Sequence, residues 1–124
     1  MGQYERDLLH GGVEHEVFVK HLRDVDRCMC DGVSEGFVKI IVQSGTCEIV
    51  GATICAPHAG DMISELTVCI QQGMKVQDLS GIIHPYPTIQ EATRLAALGF
   101  NKYFKRVDGA AMKTLSMVME NLEN

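Results

Sequence analysis

Two runs rich in β-branched residues, GFVKIIVQ (36–43) and TCEIVGATIC (46–55), flank Ser44-Gly45. Branching at Cβ stiffens the side chain and suits a pleated, half-buried surface. A Ser-Gly pair between two such runs fits a tight hairpin turn. No helical bundle is compatible with this pattern, so the middle of the chain is committed to antiparallel sheet. Upstream, VEHEVFVKHL (13–22) alternates imperfectly, with Val13, Val17 and Val19 set against Glu14, Glu16 and Phe18, and reads as a further strand. The intervening DVDRCMCDG reads as an irregular or short element. Three antiparallel strands or more are expected.

Downstream of Pro57 the period changes. Met62, Ile63, Leu66, Cys69 and Ile70 recur at helical spacing, and Gly73 fits the position that closes a helix in the left-handed conformation. Gln77 to Ile83 suits one or two further helical turns, interrupted by Pro85 and Pro87. Thr88 to Glu91 matches the capping box T-x-x-E, with Ile89, Ala92, Ala96 and Tyr103 as the inner face of the helix it opens. After a break at Asp108-Gly109, Met112, Leu115, Met119 and Leu122 suggest a last amphipathic helix. Methionines at that spacing fill cores or interfaces. Strands first and helices after imply an α+β fold: an antiparallel β-sheet with helices packed on one face. The 124 residues suit one domain over 1–124.

Composition excludes several classes. The net charge is −5 and no basic patch is present, so nucleic acid is not an expected partner. No apolar run approaches the roughly 20 residues of a membrane helix, so no membrane is expected either. The five cysteines are an odd number and no secretory signal precedes them, which points to free thiols in the cytoplasm or another reducing compartment. Cys28-Met29-Cys30 is too tight for the usual zinc knuckle and lacks a matching second pair. In a strand the two thiols would share a face, but two ordinary thiols are the expectation and no metal site is assigned. His10, His15, His21 and His58 are expected to be structural, and Gly51 and Gly60 to allow close backbone packing. No G-x-G-x-x-G, P-loop or G-x-S-x-G is found. A chain with catalytic-looking residues and no phosphate cradle reads as the far end of a larger enzyme.

Those residues concentrate in HPYPTIQE, positions 84–91. Together with GFVK (36–39) and IVGATICAPHAGDMISEL (49–66), the stretch IIHPYPTIQEATRLAA (82–97) resembles the C-terminal dimerisation domain of the FAD-dependent pyridine nucleotide–disulfide oxidoreductases. That family includes glutathione reductase, lipoamide dehydrogenase and mercuric reductase. The resemblance runs from about Tyr4 to about Tyr103. It implies a homodimer. It also implies FAD- and NAD(P)-binding domains elsewhere in the same enzyme, with FAD and NAD(P)H bound there and no cofactor in this part.

In the disulfide-reducing members a histidine directly before Pro-Thr acts as acid/base toward the redox thiols of the other subunit, oriented by a glutamate five positions later. Pro87-Thr88 and Glu91 match that motif, while the histidine position falls on Tyr86. The resemblance therefore implies Tyr86 and Glu91 as site residues, with His84, two positions earlier, as a third. A phenol is a poor base at neutral pH beside an imidazole, but it can hydrogen-bond a thiolate or a metal-bound substrate. Tyrosine at this position is closest to mercuric reductase-like members, although no cysteine follows Cys69 and the vicinal pair of mercuric reductase is missing. The redox C-x4-C belongs to the part outside this chain. The implied function is the interface domain of an NAD(P)H-linked disulfide or metal-ion reductase. The alternative is a stand-alone self-associating module that keeps the motif for packing.

Overall fold

A computed structural model describes residues 1–102. The elements follow the order α1 (Glu5–His10), β1 (His15–His21), a 3-10 turn (Leu22–Asp24), α2 (Asp26–Cys30), β2 (Phe37–Gln43), β3 (Ile49–Cys55), α3 (Ala59–Gln71) and α4 (Val76–Gly81). A helix over 91–102, here α5, follows. The last helix expected around Met112–Leu122, and Tyr103 on the inner face of α5, lie outside the described residues.

The sheet is antiparallel in the order β1-β2-β3. Phe18 pairs with Ile40 across β1 and β2, and Ile40 with Ala52 across β2 and β3, with an irregularity at Ile41/Val42. One face of this sheet carries the core. Phe18, Val38, Ile40, Val42, Ile49 and Ala52 cluster there with Met62, Leu66 and Cys69 of α3, Val76 and Leu79 of α4, and Ala92, Ala96 and Phe100 of α5. The fold is thus α+β with the long helices on one face. The short α1 contacts the sheet separately: Lys39 Nζ donates to Glu5 Oε2 at 2.7 Å, which holds the Glu5 carboxyl below its ordinary range.

Two local expectations need correction. In β1 the buried residue is Phe18, while Val19 is exposed. The inward face is the one that also presents Phe18 to Phe100, whose rings meet edge to face at 5.7 Å, so the aromatic ring outweighs the two valines. The β2–β3 connection is longer than a two-residue turn, and β3 starts at Ile49 instead of Thr46. Cys47 N–H closes onto Gln43 O, and the Cys47 and Glu48 backbone turns outward to meet the α3–α4 link, where Val76 N–H donates to Cys47 O at 3.0 Å. The short element expected over DVDRCMCDG is the five-residue α2, on which Cys28 is buried and Cys30 exposed.

The end of α3 forms as the sequence implies. Gly73 has φ 62°, Gly73 N–H donates to Ile70 O, and Met74 N–H donates to Cys69 O at 2.9 Å, the paired bonds of a Schellman closure. Residues 1–3 lie antiparallel along the outer edge of β3, through Ala52 N–H to Met1 O and Gln3 N–H to Val50 O, both 2.9 Å. A Cβ on Gly51 would stand 2.1 Å from Gln3 O, so only glycine admits that close approach. Gly60, by contrast, faces open space, and no packing reason for it is found.

Candidate functional site

The link between α4 and α5, residues 82–90, has no regular structure. Pro85 and Pro87 remove two backbone donors and fix φ on either side of Tyr86, so side chains must tie the link down. They do so from two directions.

From beneath, α3 supplies Glu65. Its Oε1 lies 2.6 Å from His84 Nε2 and its Oε2 accepts from the Gln90 amide at 2.5 Å. The other imidazole nitrogen, Nδ1, is 3.0 Å from Ile82 O. Both ring nitrogens thus have an oxygen partner, one a carboxylate and the other a backbone carbonyl. The His84 side chain is only 5% exposed. Gln90 also reaches Met62 O and Thr93 Oγ1, each at 3.3 Å. One carboxylate thus clamps residues at both ends of the link.

From the side, α2 supplies Asp26 and Arg27. The Tyr86 hydroxyl donates to Asp26 Oδ2 at 2.7 Å, and Arg27 Nη1 donates to Pro87 O at 3.3 Å. The same guanidinium, through Nε, donates to Asp31 Oδ2 at 2.8 Å. Tyr86 nevertheless remains 66% exposed. Its phenol is held above its ordinary pKa, first by the hydrogen bond to Asp26 and that residue's charge, then by slight burial and by Glu91 and Cys30 nearby.

The capping box does not form as expected. α5 begins at 91, and Thr88 Oγ1 turns back to donate to Pro85 O at 2.8 Å. Glu91 N–H bonds the Thr88 carbonyl instead, at 3.3 Å. A local hydroxyl-to-backbone bond competes with capping, and here it tightens the link.

His84, Tyr86 and Glu91 all line one open cleft of about 390 Å³, with Ser80, Ile82 and Arg94 also on its walls. His84 presents its nitrogens to Glu65 and Ile82, while Tyr86 and Glu91 are the acid–base groups left at the mouth. The Tyr86 phenol, the Glu91 carboxyl and the Arg94 guanidinium are groups able to hydrogen-bond a ligand. Burial pushes the Cys28 and Cys69 thiols up, with Asp31 and Glu65 respectively adding to it, so neither is an activated thiolate. Among the described residues no three His, Cys, Asp or Glu side chains gather to hold a metal. Sequence reasoning missed Asp26, Arg27, Glu65 and Gln90. The signal available for them was that a proline-interrupted link, short of backbone donors, needs side-chain partners.

The family model for the pyridine nucleotide-disulphide oxidoreductase dimerisation domain matches residues 1–97. Mercuric reductase from Serratia marcescens is 31% identical over 111 residues, covering 90% of this chain and 24% of that protein. Mitochondrial dihydrolipoyl dehydrogenase from Caenorhabditis elegans is 33% identical over 98 residues, covering 79% of this chain and 20% of that protein. Among solved structures, LpdA from Mycobacterium tuberculosis superposes with a TM-score of 0.76 at 25% identity, over 81% of this chain and 22% of that one. The chain spans a fifth to a quarter of the length of these relatives. Fold, ordered motifs and family match agree, and the chain belongs to the pyridine nucleotide-disulphide oxidoreductase dimerisation-domain family.

Proposed function

We propose that this domain is the interface domain of an FAD-dependent, NAD(P)H-linked disulfide or metal-ion reductase, active as a homodimer, in which Tyr86 and Glu91 complete the flavin site of the partner subunit. The observation that carries the reading is Tyr86. A phenol 66% exposed, between two prolines and tied to α2, is a costly surface ornament for a monomer but a ready-made contact for a second subunit. Ile83, 93% exposed, and Ile82 stand on the same link, and exposed apolar groups of this kind commonly mark protein contacts. A homodimer would use the patch twice, once from each subunit. FAD and NAD(P)H would be held by the other domains of the enzyme, which supply the hydride and electron chemistry. This chain has no glycine-rich phosphate loop for either.

Tyr86 would orient and hydrogen-bond the reacting group, Glu91 would set the charge beside it, and His84, locked to Glu65, would fix the height of the link. Replacing the phenolic O–H alone tests this. In the longer reductase, Tyr86→Phe is expected to slow turnover with at least one of two probe acceptors, oxidised lipoamide or mercuric ion, while the dimer persists in light scattering. Unchanged turnover with both acceptors would reduce the link to a packing element.

A further inference from the structure

This inference rests on the reading of Tyr86 just given and concerns what Tyr86 offers to a ligand. We infer that Asp26 is the positioning residue for Tyr86: by accepting the phenolic hydrogen at 2.7 Å it fixes the ring so that the oxygen presents lone pairs, not a proton, to the cleft.

A phenol has one hydrogen to donate and can accept on the same oxygen. A bond to a carboxylate is short and stronger than one to a neutral acceptor, so an incoming acceptor would have to displace Asp26. The neighbouring residue reinforces the geometry. Arg27 donates to Pro87 O and to Asp31, so consecutive residues of α2 grip consecutive residues of the link. Asp26 and Cys30 from α2 and Glu91 from α5 act on the phenol, with Arg94 on the wall of the same cleft, and the two carboxylates oppose a further anion at the phenolic oxygen. The ligand class follows from this chemistry. Tyr86 in this setting receives a group with a hydrogen to give, such as a protonated thiol or an amide N–H, and disfavours a thiolate. It therefore acts in the opposite sense to a phenol that donates to a thiolate.

The pair can be tested in the 124-residue chain without any cofactor. Tyrosine labelled with 13C at Cζ is titrated by NMR, with Tyr86→Phe assigning the resonance. Asp26→Asn is expected to shift the Tyr86 midpoint downward, because the carboxylate that opposes the tyrosinate is gone, and Asp26→Glu is expected to restore it at least in part. A Tyr86 midpoint unmoved in Asp26→Asn overturns the inference. In the longer reductase, with oxidised lipoamide as probe, Asp26→Asn is expected to slow turnover, and the double variant Asp26→Asn/Tyr86→Phe to be no slower than Tyr86→Phe alone. Additive losses would show that Asp26 acts otherwise than through Tyr86 and overturn the role. If the NMR shift appears but Tyr86→Phe leaves turnover intact with both oxidised lipoamide and mercuric ion, the proposed function has failed while the Asp26–Tyr86 coupling stands, so the two failures have different signatures.

Discussion

The two ties on the 82–90 link differ in kind. The His84–Glu65–Gln90 clamp is largely shielded from water, involves three side chains and reaches across to α3. The Tyr86–Asp26 and Pro87–Arg27 ties are exposed. Breaking a shielded polar bond leaves its partner desolvated and unsatisfied, whereas an exposed bond is replaced by water at little cost. The clamp therefore sets where the link is, and the outer ties set what Tyr86 can do there. Stability and the proposed function are divided between residues only a few positions apart.

The largest effect should come from the clamp. Glu65→Ala strands both His84 and Gln90, and is expected to lower stability by about 1–3 kcal/mol. For a domain of this size that is a fall of several degrees in Tm. A melt unchanged from the parent would abolish the distinction between the two ties. Thr88→Val removes the hydroxyl bond to Pro85 O and is expected to cost about 0.5–1.5 kcal/mol. Because the hydroxyl does not cap α5, its loss should leave the amide exchange of Thr93 and later residues unaltered. Accelerated exchange throughout the first turn of α5 would restore the capping role. The smallest effect on stability is expected at Tyr86→Phe, which removes one exposed hydrogen bond and should leave the denaturant midpoint at neutral pH close to that of the parent. Its pH signature has a definite sign. The folded-state pKa of Tyr86 lies above its unfolded value, so the contribution of the bond is fully present below the unfolded value and disappears as pH rises through the folded one. Denaturant midpoints of parent and variant, measured from neutral to alkaline pH, should therefore converge at the alkaline end. A gap that widened there would contradict the Asp26 pairing.

What was legible in the sequence was local. The β-branched runs, the period of α3 and the Gly73 closure depend on residues within one or two turns of each other, and each formed. Most of the errors arose where the deciding partner was remote. Phe18 was set on the polar face because alternation alone favoured the valines, while its partner Phe100 lies far along the chain. Asp26 and Tyr86 are separated by 60 positions and Glu65 and His84 by 19, and no spacing rule relates them. The Thr88 capping signal implied a hydroxyl accepting from the Glu91 N–H, whereas the hydroxyl turns back and donates to Pro85 O. Tyr86, Glu91 and His84 came from a family motif, and the structure places all three around one cleft while turning the imidazole toward Glu65.

The short stretch at the start of the chain has a consequence for behaviour in solution. Residues 1–3 occupy the hydrogen-bonding edge of β3, and an unoccupied edge is a template for other strands. Gly51 makes that occupation possible, because any side chain there would collide with Gln3 O. Gly51 is thus a guard against self-association of the wrong kind. An alanine at this position would expel the first residues and leave a β-branched strand, IVGATIC, open to pair with its own copies. Such a variant would gain a route to ribbon-like aggregates that competes with any two-fold assembly through the helices.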